Sequence, residues 1–433
     1  PATVQEDELG RATSTACKAL KARLLLYAAS PLWNGSFPYP NWKNTNYETP
    51  GYGKELVDHT YDPTKWQKAL DACNDAITLA TGEGERVLFD LSTSESIRRN
   101  EGLPLPTIAN TDSLFKERVM LMRYLTTTTE VQGNKEVIWG VITGLTPEDA
   151  VPHAVITYNG SPVGGWSGVS PSLYTFEHFY TSSGKLPEND VNFPAKSEWL
   201  SSAGLSNSNI INLNVGREPR FYAWFGYDGG EYSSLLSDGS PLVIAARDSK
   251  KQGYNPDLYN RDNSVTGFWS KKWVQPNLKW RSSDGGVNWN LPPFPIIRLA
   301  ELYLDRAECY AELGQNEKAL ADLNIIRKRA GVPDLTAADI NGNMSLIDWV
   351  RNERFIELWG EGHRYFDLRR WCLAPQYLKA GTREGLNATQ KKDPSFMEFN
   401  QRTKVNQPFQ WTDRMYLLPV SSSELYSNPQ LVQ

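Results

Sequence analysis

Helical periodicity at both ends of the chain, interrupted by a long section without it, constrains the fold more than any other feature. Apolar residues recur at helical spacing over residues 12–30, about 63–81 and 111–130, and again from residue 293 onward. Between residues 144 and 292 the sequence is instead rich in Gly, Ser, Asn, Pro and aromatic residues. We therefore expect a mostly α-helical protein with a few short strands, whose helices pack against an irregular section that carries function.

These patterns divide the chain into three sections. Residues 1–143 form an N-terminal helical part with an inserted aromatic loop at 31–62, and residues 293–433 form a C-terminal helical part. Between them, residues 144–292 form the irregular, aromatic-rich section that we expect to bind a ligand. The alternative is a single intertwined domain that lacks its N-terminal section.

Residues 294–331 predict two helices joined by a short turn. Within them, Ala307, Tyr310, Gly314 and Ala319 follow one another at spacings of 3, 4 and 5, which is typical of a tetratricopeptide repeat. The small residues allow two helices to approach closely, and the tyrosine fills the groove between them. The second helix is expected to end at the glycine that closes this segment.

A second, interrupted repeat is predicted near the N-terminus. Ala22 lies in one helical segment, while Ala69 and Ala76 lie seven positions apart in the next, with the aromatic loop in place of a short turn. Insertions in such repeats map to one face, which is often the binding face. Since two repeats are fewer than the roughly three that a stable stack needs, we expect the irregular section to pack along the helices.

Charge and hydropathy argue against a nucleic-acid partner and against a membrane-spanning helix. The net charge is −5 and no Lys/Arg block is present, so no nucleic-acid partner is indicated. The longest unbroken apolar stretch covers only residues 24–29, whereas a membrane-spanning helix needs about 20 apolar residues. The sequence predicts no transmembrane helix.

The segment 349–371 is dense in charge and raises the question of catalysis. Glu353, Glu357 and Glu361 are four positions apart and share a helix face, and paired carboxylates are what a glycosidase requires. Arginines stand beside nearly every acid, however, and would lower the carboxyl pKa values rather than create a general acid. We expect a structural ion-pair network, no catalytic residue and no enzyme activity.

Motifs for metals and cofactors are weak or missing. His363 lacks the HExxH context of a zinc site, and no phosphate loop or dinucleotide fingerprint is present. Residues 257–263 resemble half of a calcium loop but lack its glycine and closing glutamate. We predict no cofactor and no metal, and leave calcium as the open alternative.

Aromatic residues are the candidates for ligand contact, since the chain has 15 Trp, 20 Tyr and 15 Phe. Many lie in polar, turn-rich sequence without core-like periodicity, where rings can stack on flat ligands. The alternative is that such rings merely anchor large loops. The candidate ligand-binding residues are Trp42, Tyr227, Tyr232, Tyr254, Tyr259, Trp280 and Trp289.

Four stretches together resemble one family, the SusD/RagB proteins. Residues 294–331 resemble the family's helix pair, and 351–371, reading RNERFIELWGEGHRYFDLRRW, resemble its charged segment. Residues 10–34 and 416–433 resemble the helix that opens its conserved region and its C-terminal ending. The middle section matches only loosely.

The resemblance implies a cell-surface, lipid-anchored nutrient-binding protein of the outer membrane. Such a protein captures oligosaccharides and passes them to a SusC-like TonB-dependent transporter. The lipid-carrying N-terminal Cys and the family's first helical section are not in this sequence, so we expect a form that lacks them. A peptide-binding member of the family and a scaffold that only docks proteins remain as alternatives.

Overall fold

The computed structural model describes the 433-residue chain except for residues 46, 48–49, 142–156, 159–160, 163–164, 208, 233–235, 237, 258–262, 280, 282–293, 406–408, 419–420 and 429–433. Over the described residues the protein is mostly helical, as the sequence predicts. The helices are α1 (Ser14–Ala29), α2 (Thr64–Thr81), α3 (Glu95–Glu101), α4 (Ser113–Leu125), α5 (Leu173–His178), α6 (Pro219–Trp224), α7 (Leu299–Glu312), α8 (Asn316–Ala330), α9 (Leu346–Glu357), α10 (His363–Arg370), α11 (Ala374–Tyr377), α12 (Phe396–Phe399) and α13 (Ser422–Ser427).

The strands are short and pair two by two, all antiparallel. They are β1 (Val137–Val141), β2 (Thr157–Tyr158), β3 (Ser161–Pro162), β4 (Phe225–Gly226), β5 (Trp269–Ser270), β6 (Phe294–Arg298), β7 (Glu384–Gly385) and β8 (Thr403–Lys404). The pairs are β1 with β6, β2 with β3, β4 with β5 and β7 with β8. The pairs of β1 with β6 and of β4 with β5 therefore join distant parts of the chain, and each described sheet has only two strands.

Two segments differ from the sequence expectation. The helix predicted to begin at residue 294 begins at Leu299, because Phe294–Arg298 instead pairs with β1. The run of apolar and aromatic residues at 221–227 predicts a short strand, but most of it lies in the helix α6, which starts at Pro219. Proline is favoured in the first turn of a helix because its missing N–H has no partner to lose there.

Small residues bring α1, α2, α7 and α8 together. Ala22, Ala69, Ala76, Ala307 and Ala319 are completely buried, which confirms that the small-residue face is structural. Without side-chain bulk at these positions the helix backbones approach closely, and the buried alanines lose little side-chain entropy.

Local signals in the sequence set the ends of these helices. The Thr13 side chain accepts a hydrogen bond from the backbone N–H of Ala16 at 3.0 Å and caps α1. Helix α8 ends at Gly331, whose φ of +79° is a left-handed conformation that suits glycine. The aromatic loop after α1 is closed by Asn34, whose side chain bonds both Ala29 and Asp62.

The middle section is a packed core rather than a set of open loops. Trp199, Trp224 and Trp269 are almost completely buried in one cluster that also holds residues from both helical sections. The guanidinium of Arg217, also buried, donates to backbone carbonyls of Leu213, Phe176 and Phe179. A single buried arginine thus satisfies carbonyls that irregular backbone would otherwise leave without partners.

We predict that Ala307→Leu destabilises the fold by about 1–3 kcal/mol, because it overpacks a close helix contact. Chemical denaturation of the variant and the parent measures this loss. Ala321→Leu, at an exposed position on α8, is the matched control and should change the free energy of unfolding little. Equal stability of Ala307→Leu and the parent would contradict the close packing of α7.

Candidate ligand-binding site

Glu353, Glu357 and Glu361 are all buried and paired with cations, which confirms the predicted ion-pair network. Arg298 contacts Glu357 at 2.7 Å and Glu361 at 2.8 Å. Arg220 contacts Glu353 at 2.7 Å and Glu357 at 3.0 Å. These acids therefore hold the fold together and do not face a substrate as a catalytic pair.

The pKa values of Glu357 and Glu361 follow from their partners. Burial by itself would raise the pKa of Glu361, but Arg298 and Lys272 outweigh it and lower the pKa to about 2. The same competition, with Arg329 and Arg298 the largest opposing charges, lowers the pKa of Glu357. A general acid needs a raised pKa, so neither carboxyl is suited to that role.

A cleft of ligand-binding size lies beside this network. It has a volume of about 540 Å³ and is formed by residues 170–175, the end of α9, α10 and residues 376–383. We call it the Arg364 cleft. Its rings are Tyr174, Phe355, Trp359 and Tyr377, and its polar groups include Ser172, Thr175, Arg364, Gln376, Thr382 and Arg383. Its size falls within the range of about 300–1,000 Å³ that is usual for ligand pockets.

Arg364 is held by rings rather than by acids. Its guanidinium carbon lies 4.6 Å from the ring centre of Phe355, 5.0 Å from that of Tyr377 and 5.8 Å from that of Tyr174. One of its nitrogens donates to the Tyr174 hydroxyl at 3.0 Å. Burial raises the pKa of Tyr174 to about 12, so that hydroxyl stays neutral at physiological pH.

The aromatic loop adjoins the cleft through a small apolar cluster. Leu32 and Phe37 of the loop pack in one cluster with Leu368, and Tyr377 packs against it. Leu368 and Tyr377 also line the cleft. Residues of the loop, the middle section and the C-terminal section are therefore connected around one opening.

Among the predicted residues that the structure describes, Trp42 and Tyr254 are the two that are not buried. Trp42 is 36% exposed and stacks on Phe37 with ring centres 5.1 Å apart. Tyr254 is half-buried. Neither lines the Arg364 cleft. Three other candidates, Tyr259, Trp280 and Trp289, lie outside the described residues.

The expectation that Tyr227 and Tyr232 lie outside the core is wrong. Tyr227 is 8% exposed and Tyr232 is 1% exposed, and both pack in the main hydrophobic cluster. The Tyr232 hydroxyl donates to the backbone carbonyl of Ser270 at 2.7 Å. Irregular sequence hides their burial, because the partners that cover them come from distant parts of the chain.

A second, smaller cleft of about 230 Å³ lies beside the edge of Tyr232. Arg123, Glu231 and Lys271 line it together with several prolines. The Lys271 ammonium donates to the Glu231 carbonyl at 3.1 Å. Burial and the neighbouring Arg123 lower the pKa of Lys271, which makes this cleft less suited to a charged role than the Arg364 cleft.

Sequence reasoning missed Tyr174, Trp359, Arg364 and Tyr377 as site residues. Two of them lie in the charged segment 349–371, where the acids drew attention to ion pairs. The available signal was the mixture of rings with an arginine in that segment. Contacts with residues far along the chain decide which arginines face acids. Spacing alone therefore could not distinguish Arg364 from the neighbouring arginines.

Metal and membrane features are limited in the described residues. They contain no group of three or more His, Cys, Asp or Glu side chains arranged to hold a metal ion. The half calcium loop falls largely on residues 258–262, which are outside the described residues. Of its two ends, Asp257 forms an ion pair with Lys392 at 2.8 Å, and the Asn263 side chain accepts a hydrogen bond from the backbone N–H of Asn255. Within the same part of the chain, no helix combines the length and apolar character needed to cross a bilayer.

The fold and the cleft define a mostly helical protein whose irregular section and helices share one ligand-sized opening. The family model of the SusD family matches residues 135–433. The chain belongs to the SusD family.

Solved structures and curated relatives agree with this assignment. The chain is 52% identical to BT4246, with a TM-score of 0.94, over 100% of this chain and 72% of that one. A SusD-like protein, BF3747, of Bacteroides fragilis NCTC 9343 shares the fold, with 24% identity, a TM-score of 0.61 and coverage of 99% and 66%. SusD-like protein P38 of Formosa agariphila is 32% identical over 89 residues, which are 19% of this chain and 18% of that protein. The chain thus matches less than a fifth of the length of that curated relative.

We predict that Glu357→Ala lowers the free energy of unfolding by about 3–5 kcal/mol, because it leaves buried arginines without their partner. Ligand affinity should stay largely intact as long as the variant is folded, since Glu357 is buried and does not line the cleft. Denaturant titration measures the loss, and Glu95→Ala on the exposed helix α3 is the control. A variant as stable as the parent would contradict the network.

The network also predicts loss of stability in acid. Glu361 has a pKa of about 2 in the folded state, against an ordinary value of 4.5. A lowered folded pKa contributes stability that is present above the unfolded pKa and is lost as the pH falls toward the folded one. Denaturant titrations between pH 7 and pH 2 should show that loss begin near pH 4.5, and unchanged stability at pH 3 would contradict it.

Tyr232→Phe tests the corrected position of that ring. Loss of the hydrogen bond to Ser270 should lower the free energy of unfolding by about 1 kcal/mol. Removal of the whole ring in Tyr232→Ala should cost more, about 3–5 kcal/mol. Thermal melts compare both with Tyr254→Phe, whose ring is half-buried, and an unchanged melting temperature in Tyr232→Ala would place the ring outside the core.

Proposed function

We propose that the protein captures oligosaccharides at the cell surface in the Arg364 cleft and delivers them to a partner TonB-dependent transporter. The observation that carries this is the cleft's lining, in which several rings surround neutral hydroxyls, an amide and arginines. The acids of the neighbouring network are paired internally, which supports binding without hydrolysis. Membership of the SusD family supports nutrient binding as the role of such a cleft.

The chemistry of the lining suits a sugar. Sugar rings carry C–H faces that pack on aromatic side chains, and their hydroxyls need donors and acceptors at the edges. Trp359 and Tyr377 supply rings, while Thr175 and Gln376 supply polar groups. A binding site of this kind combines apolar walls with a few polar groups that orient the ligand.

The surface around the cleft extends the proposal to longer glycans. Trp42 stacks on Phe37, and Phe37 belongs to the apolar cluster that also contains Leu368 of the cleft. We propose Trp42 and Tyr254 as outer contacts for an oligosaccharide, and keep Tyr259, Trp280 and Trp289 as proposed contacts. Tyr227 and Tyr232 act as supports in the core.

The cellular setting is proposed from the family. We propose that a lipid anchor outside this sequence holds the protein at the outer membrane, beside its transporter. No cofactor is required for capture, because binding alone transfers the ligand from the medium to the transporter entrance. The alternatives are a peptide ligand in the same cleft and a scaffold that binds only other proteins.

The test is calorimetric titration of the parent and of Trp359→Ala with a panel of soluble oligosaccharides and peptides. Ring stacking is worth about 0.5–1.5 kcal/mol between protein side chains. Loss of one ring should therefore weaken oligosaccharide binding about two- to tenfold, since each 1.4 kcal/mol is tenfold. The double variant Trp359→Ala with Tyr377→Ala should lose most of the binding.

Tyr426→Ala is the matched control. Tyr426 is 87% exposed on α13 and lies outside the described lining of the cleft. The variant should therefore bind oligosaccharides as tightly as the parent. Binding of peptides but of no oligosaccharide would contradict the glycan proposal. If all cleft variants bound oligosaccharides as tightly as the parent, the binding site would have to lie outside this cleft.

A further inference from the structure

We propose that the Arg364 cleft is built for an acidic glycan, whose uronic-acid carboxylate or sulfate ester binds between Arg364 and Arg383. This inference rests on the proposed function and names the chemical class of its ligand. Both groups present negatively charged oxygens that accept hydrogen bonds from a guanidinium, so they share one chemistry.

The first observation is the contrast between Arg364 and the other arginines of the same region. Arg220 and Arg298 each contact three carboxylates, and Arg354 contacts Asp305 and Asp367. For Arg364 the described residues supply rings and one neutral hydroxyl and no carboxylate within salt-bridge distance. A guanidinium has five N–H donors, and the Tyr174 hydroxyl accepts from only one of its nitrogens.

The second observation is the charge of the whole cleft. Its described lining contains two arginines and no Asp or Glu. Acids that neighbour the lining residues in sequence are paired with other arginines: Glu177 and Glu384 contact Arg402, and Asp367 of α10 contacts Arg354 and Arg370. His178 stacks behind Tyr174 with ring centres 3.7 Å apart, and burial lowers its pKa to about 4, so it stays neutral.

The third observation is the geometry around Arg364. The rings of Phe355, Tyr377 and Tyr174 hold the guanidinium and restrict its rotation. A planar guanidinium held in this way is prepared to bind an anion with two parallel hydrogen bonds. Arg383 is exposed and is the second arginine in the described lining of the cleft, where it can meet the same anion from the solvent side.

The rings favour a sugar over a peptide as the carrier of the anion. An acidic sugar presents its charged group directly on a ring whose faces can lie against Trp359 or Tyr377. The neutral hydroxyls of Ser172 and Thr175 match the hydroxyls of such a ring. A peptide with a free C-terminal carboxylate is the competing ligand and is included in the test.

The experiment compares charged oligosaccharides with their neutral derivatives. The parent is titrated with oligogalacturonates and their carboxyl-reduced forms, with sulfated galactan fragments and their desulfated forms, with a panel of neutral oligosaccharides, and with tripeptides. We expect at least one charged oligosaccharide to bind about tenfold or more tightly than its neutral form. The preference should weaken as salt is raised, and the arm that shows it distinguishes carboxylate from sulfate.

Two variants and a control connect the preference to the cleft. Arg383→Gln, at an exposed position, should reduce the preference for the charged form over its neutral form about tenfold. Arg364→Lys keeps a positive charge but cannot form bidentate hydrogen bonds to the anion. It should therefore also reduce the preference for the charged form. Arg99→Gln, exposed on α3 and outside the cleft, should behave like the parent.

The outcomes separate this inference from the proposed function. If oligosaccharides bind equally well with and without their charged groups, the proposal of an acidic ligand is wrong. The proposal of glycan capture would be unaffected. A preference that persists in both Arg364→Lys and Arg383→Gln would also overturn it. Binding of tripeptides but of no oligosaccharide would overturn both.

Discussion

Arg298 lies at the centre of the buried charge network on which the arrangement of the sections depends. It ends β6 and contacts Glu136, Glu357 and Glu361 at 2.7 to 2.8 Å. Burial would lower the pKa of Arg298, but these three carboxylates outweigh it and raise the pKa well above its usual value. The positive charge of Arg298 is therefore permanent, and it holds the three carboxylates in place.

The network links every section of the chain. Glu136 precedes β1, Arg220 belongs to α6 in the middle section, and Arg329 belongs to α8. Glu357 contacts both Arg220 and Arg329. Because a buried carboxylate without its partner is costly, each element is held in one position relative to the end of α9. That position also sets the wall of the Arg364 cleft, since Phe355 and Trp359 flank Glu357 in sequence.

Sequence reasoning succeeded where structure follows from neighbouring residues. The cap at Thr13, the helix end at Gly331 and the alanine faces were all predictable, because propensity and periodicity are local properties. It failed at Phe294–Arg298, where pairing with β1 overrides a helical pattern. Tyr232 was misassigned for the same reason, since its burial depends on Ser270 and other residues that the local sequence does not reveal.

The candidate site was predictable only in outline. The sequence correctly identified the ion-pair role of Glu357, and the segment that contains Arg364 was recognised as unusual. Whether a given arginine in that segment faces acids or a cleft depends on which side chains surround it in space. Tyr174 and Tyr377 come from separate segments, so no spacing rule could join them to Arg364.

The long-range character of the Arg298 contacts has a kinetic consequence. Arg298 meets Glu136 across 162 positions of the chain and Glu357 across 59. Such contacts form only after distant segments have met, which slows folding. The guanidinium and its acids stay hydrated until then, so their dehydration comes late. We expect unfolding also to be slow, since the first exposure of this cluster to water requires several elements to separate together. The folded protein should therefore persist through brief denaturing conditions because of its rate of unfolding, whatever its equilibrium stability.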